Sequence, residues 1–82
     1  MPEMAQPATY EDFAADVVAL PGVQAADVLD RDPRVERPIC EVTIGPRYAR
    51  VPPRVLRAIA KHDLGVYDVT QQTGGYYRVV VV

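Results

Sequence analysis

Leu64-Gly65-Val66-Tyr67-Asp68-Val69 repeats in outline what Leu20-Pro21-Gly22-Val23 begins and Asp27-Val28 continues. In both places an amphipathic stretch ends, the chain turns at a glycine, and a strand carrying Asp-Val follows. Tyr10, Phe13, Ala14 and Val17 precede the first junction at the i, i+3, i+4, i+7 spacing of one helical face. Val55, Leu56 and Ile59 precede the second and supply an inner face there, with Arg54, Arg57 and Lys61 turned outward. Hardly any residue beyond the junctions matches, so the echo is read as shared architecture and not as a duplicated ancestor.

Working outward from the junctions, Thr9 offers an N-cap to the first helix, with Asp12 three residues on, and Pro21-Gly22 stops it. Residues 1–8 hold two prolines and no periodicity, and they are expected to be a disordered tail before one domain over residues 9–82. Residues 23–30 read as an edge strand, because Ala25 and Ala26 give neither face much to bury. Arg31-Asp32-Pro33-Arg34 reads as a charged turn. Cys40, Val42 and Ile44 alternate with Glu41 and Thr43 in the two-residue period of a half-buried strand. Pro52-Pro53 suits the first turn of the second helix, where a missing N–H costs nothing, and Leu64-Gly65 closes it. Residues 66–70 form a third strand, Gln71-Gln72-Thr73-Gly74-Gly75 a hairpin loop, and residues 76–82 a fourth strand.

The order α-β-β-α-β-β predicts an α+β fold: a two-layer sandwich with a four-stranded antiparallel sheet and both helices on one face. This is the ferredoxin-like arrangement with its first strand moved to the C-terminus. The strands then lie in the order first, second, fourth, third. Val79 to Val82, apolar on both faces, fits the central place this gives the last strand.

Ala58-Ile59-Ala60-Lys61-His62-Asp63-Leu64-Gly65-Val66, together with Leu20-Pro21-Gly22-Val23, resembles the small ferredoxin-like domains of heavy-metal chaperones over about half the chain. Those domains hold metal through a CxxC loop. Here Cys40 stands alone, in a strand, so the resemblance implies a fold and no metal function. No cofactor is expected.

Composition narrows the function classes. A chain of 82 residues makes one domain of modest stability. Net charge is −2, which argues against bulk affinity for nucleic acid or anionic membranes. No stretch approaches the roughly 20 apolar residues of a membrane span, and the N-terminus lacks the pattern of a signal peptide, so a cytoplasmic protein is expected. The excess of arginine over lysine, eight to one, is read as a compositional bias before it is read as chemistry.

Nucleophilic catalysis through a hydroxyl triad is not suggested, since the chain has no serine and a single histidine, His62. Beside Asp63 at a helix C-terminus, His62 reads as a cation against the helix dipole. Asp27, Asp30, Asp32 and Asp68 read as turn or solvated carboxylates. The densest chemical signal is basic: Arg47, Arg50, Arg54, Arg57 and Lys61, with Tyr48 among them and no acid from Val42 to Ala60. Such a segment suits a phosphate, a nucleic-acid backbone or an acidic partner. The competing structural reading sets Asp12 and Asp16 of the first helix beside it as neutralising charges. Gly74-Gly75-Tyr76-Tyr77 resembles the glycine–aromatic start of an RNA-recognition-motif signature, but valine stands where that signature places its later aromatic.

The leading expectation is a non-enzymatic interaction module or homo-oligomeric subunit. Tyr76, Arg78, Val80 and Val82 alternate onto the sheet face away from the helices, and this apolar face is the expected homodimer surface. Nucleic acid or a phosphate ligand on the basic segment is the alternative.

Overall fold

A computed structural model describes residues 7–32, 37–47 and 50–82. The elements run α1 (Pro7–Val18), β1 (Val23–Asp32), β2 (Arg37–Ile44), α2 (Pro53–Lys61), β3 (Val66–Gln71) and β4 (Tyr77–Val81). All pairings are antiparallel, and the strands lie in the order β1-β2-β4-β3. The last strand is therefore central, as its two-sided apolar composition requires.

α1 starts earlier than the capping pattern suggests. Pro7 opens it, so Thr9 lies inside the first turn and is not the N-cap, and residues 7 and 8 belong to the helix instead of a tail. The remainder of the expected tail lies outside the described residues. β1 extends through Arg31 and Asp32 before the expected charged turn, whose other two residues also lie outside the described set.

One cluster joins both helices to one face of the sheet: Tyr10, Phe13 and Val17 from α1, Val55 and Ile59 from α2, Cys40, Val42 and Ile44 from β2, Val79 and Val81 from β4. The registers Val42↔Val79 and Cys40↔Val81 explain the sharing, because residues directly opposite in a ladder point to the same face. α1 lies over β1 and β2, with α2 beside it. Leu56 is a correction to the inner face read from the sequence. It is 46% exposed while Val55 and Ile59 are buried.

The two helices close differently. After α1, Gly22 takes a φ of 91°, and its carbonyl accepts the Gly45 N–H at 2.9 Å. After α2 the turn is made by Asp63, at φ 57°, and not by Gly65. The Asp63 N–H donates to the Ala60 carbonyl and the Leu64 N–H to the Ile59 carbonyl, both at 3.0 Å, a double closure that needs a left-handed residue at Asp63. Gly65 instead exchanges two 2.9 Å hydrogen bonds with Val82.

Candidate functional site

The basic residues lie where the second helix enters and along its outer side. Arg47, Arg50, Arg54, Arg57 and Lys61 are all exposed, and Tyr48 lies outside the described residues. Arg54, Arg57 and Lys61 meet Asp16, Leu20 and Ala58 along a shallow groove of about 280 Å³ between the helices. Arg47 does not line this groove. With Tyr76, Gln24 and Pro46 it lines a separate cleft of about 400 Å³ at the end of β2.

Asp16 gathers the charges of the groove. Its Oδ2 lies 3.3 Å from Lys61 Nζ and 2.7 Å from His62 Nε2. The hydrogen bond from His62, then that from Lys61, hold the Asp16 carboxyl below its ordinary range. The His62 ring also meets Phe13 edge-on, with centroids 5.7 Å apart at 76°. His62 is thus more than a charge at a helix terminus. It ties the end of α2 to the middle of α1. Asp16 was legible as a neutralising partner for Lys61, whereas the approach of His62 follows from the helix crossing, which no sequence spacing encodes. Among the described residues, Arg54 and Arg57 have no carboxylate partner, and Asp12 pairs with neither.

On the sheet face away from the helices, the expected self-association surface, none of the four expected residues is fully exposed. Val80 does project to that face, opposite Glu41 and Asp68, yet it is only 1% exposed, and Ile39 on the same face is wholly buried. Tyr76, Arg78 and Val82 are half-buried. Arg78 Nη1 stands 3.8 Å from Glu41 Oε2. The bare stripe of valine and tyrosine that the alternation implied is therefore absent at its centre.

Three exposed apolar side chains lie on the edge strand β3. Five of the six β3 residues are exposed, the exception being Thr70, and Val66, Tyr67 and Val69 lie 44%, 49% and 45% open. Leu56 on α2, Val18 on α1 and Leu29 on β1 are exposed as well.

Cys40 is buried in the core, where desolvation, and after it the charges of Asp27 and Glu41, push the thiol up to about 12. It is a protonated packing residue at neutral pH. Among the described residues, no three His, Cys, Asp or Glu side chains come together as a metal site, and no helix is long and apolar enough to cross a membrane. Comparisons with protein-family models, with curated proteins and with solved structures return no match for this chain.

Proposed function

We propose that the chain is a non-enzymatic interaction module that works as a homo-oligomeric subunit. Its frame is the ferredoxin-like sandwich with the first strand moved to the C-terminus, a reading supported by the antiparallel order β1-β2-β4-β3 with β4 central. The observation that carries the functional reading is the exposure of Val66, Tyr67 and Val69 together on the edge strand β3, each close to half-exposed, in an 82-residue chain with little core to spare. A contiguous apolar surface is retained in small domains where a partner covers it. Light scattering on the full chain from about 1 μM to about 1 mM tests this, a weak association being the expectation for a small interface. The mass should rise toward that of a dimer, and a constant monomer mass across that range rejects the proposal.

A second reading is favoured by Arg54 and Arg57, which among the described residues have no carboxylate partner while Asp16 meets Lys61 and His62. It takes the outer side of α2 as an anion-binding surface for phosphate or nucleic acid. Binding to a short DNA or RNA duplex should then fall steeply with salt and weaken in Arg54→Gln with Arg57→Gln. No binding at low salt excludes it.

A further inference from the structure

We infer that the partner is a second copy of this chain, docked edge to edge through β3 in a register that sets Val69 against its own symmetry mate. The inference rests on the self-association reading and specifies its surface. β3 ends the strand order, so its outer edge pairs with no strand among the described residues. An unpaired edge is a template for another strand unless charge, proline or a bulge blunts it.

The two edges of this sheet differ in that respect. β1 carries Asp27, Asp30 and Asp32 and has two register irregularities. Self-pairing there would bring carboxylates together along its length. β3, Val66-Tyr67-Asp68-Val69-Thr70-Gln71, has neither lysine nor proline and a single charge. That charge is already engaged, because the Thr70 hydroxyl donates to Asp68 Oδ2 at 3.0 Å. Its one irregularity, between Val66 and Asp68, lies near the start of the strand and leaves Asp68 to Gln71 in regular pairing with β4.

Val69 lies opposite Val79 and Val66 opposite Val81, both core residues, so these two β3 side chains project toward the helix layer but are not covered by it. Leu56 sits roughly 100° around α2 from Val55. Arg54, Ala58 and Lys61, which face α1 across the groove, lie on the other side of Val55. The flank bearing Leu56 therefore turns away from α1. Val66 and Val69 thus present an apolar strip beside the open edge, which a two-fold copy covers with the same two residues.

Register follows from charge. A two-fold axis normal to the sheet keeps helix-side residues opposite helix-side residues, which leaves axes through Asp68 or through Val69 near the middle of the strand. The first opposes two carboxylates, which is unfavourable. The second pairs Val69 with Val69 and sets each Asp68 opposite the partner copy's uncharged Thr70.

Sedimentation equilibrium on the full chain tests this with three variants: Val69→Lys, Val82→Lys on the opposite sheet face, and Val69→Cys. Val69→Lys should weaken dimerisation on the order of a hundredfold while circular dichroism stays unchanged, as a half-exposed position allows. Val82→Lys should leave the dimer intact. Val69→Cys should form an intermolecular disulfide on mild oxidation, faster than Asp68→Cys, with buried Cys40 remaining unreactive. If the wild type is dimeric but persists as a dimer in Val69→Lys, the β3 docking is wrong and self-association stands on another surface. Faster cross-linking of Asp68→Cys overturns the register. A wild type that is monomeric at about 1 mM overturns both the docking and the reading beneath it.

Discussion

The first half of the chain lays Tyr10, Phe13 and Val17 of α1 against Cys40, Val42 and Ile44 of β2, all with no exposure. The second half builds the same sequence of elements but buries only Val55 and Ile59 from its helix and nothing from β3, just as nothing is buried from residues 23–30 of β1. Its contribution to the core comes from β4, which lies between the halves and borrows cover from both helices. Repeated element order therefore does not imply repeated burial. What distinguishes the halves is the aromatic pair of α1, which gives the first helix a broad inner face, and the narrower two-residue inner face of α2.

That contrast gives the largest expected effect. Phe13→Ala removes a fully buried ring that also supports His62, and it should cost about 3–5 kcal/mol in urea unfolding, enough to unfold a domain this small. Leu56→Ala, at the equivalent stage of α2, should cost less than about 1 kcal/mol because the side chain is already half in water. Equal losses for the two would mean that α2 packs as deeply as α1 and would erase the asymmetry.

Backbone closure sharpens the comparison next. Gly22 sits at φ 91°, a conformation that side chains with a Cβ rarely adopt. Gly22→Ala should therefore cost roughly 1–2 kcal/mol. No loss at all would show that the turn after α1 can re-form without glycine.

The element order and the central place of β4 were legible in the sequence because period-two and period-3.6 patterns survive in any environment. Val79 to Val82 announced its central position through apolar residues on both faces. Leu56 was misplaced because three apolar residues within one and a half turns do not say how wide a cover the sheet offers, and β3 lies beyond the reach of α2. Val80 was misread for a related reason: alternation tells which face a residue points to, not whether that face is wet. The Asp16–His62 contact depends on how two helices cross, and neither helix alone encodes it.

The same crossing carries a pH signature. Asp16 is held below its ordinary range by hydrogen bonds from His62 and Lys61, so the stability it contributes is present above the carboxylate range and is lost as pH falls through it. Asp16→Asn should be less stable than wild type at neutral pH, by a modest margin for so exposed a pair. The gap should close as the solution is acidified. Unfolding midpoints measured from pH 7 down to about pH 3 report it directly. A gap that stays constant over that range would mean the carboxylate charge is not what links α1 to α2.

The smallest expected effect is a gain, and it bears on the two helix closures most directly. α1 is followed by the residue its turn needs, whereas α2 is followed by Asp63 at φ 57°, in the left-handed region, where the backbone closes onto Ile59 and Ala60. A residue with a Cβ is strained there by roughly 1–2 kcal/mol, though aspartate tolerates it better than most. Replacing it with glycine removes that strain and returns roughly 0.4–1 kcal/mol of freedom to the unfolded chain. Asp63→Gly should therefore stabilise the domain by about 0.5 kcal/mol, seen as a small rise in the urea midpoint at an unchanged slope. A fall in the midpoint would mean that the Asp63 side chain adds more to the end of α2 than its backbone conformation costs. The closures would then differ in what holds them and not only in how well they fit.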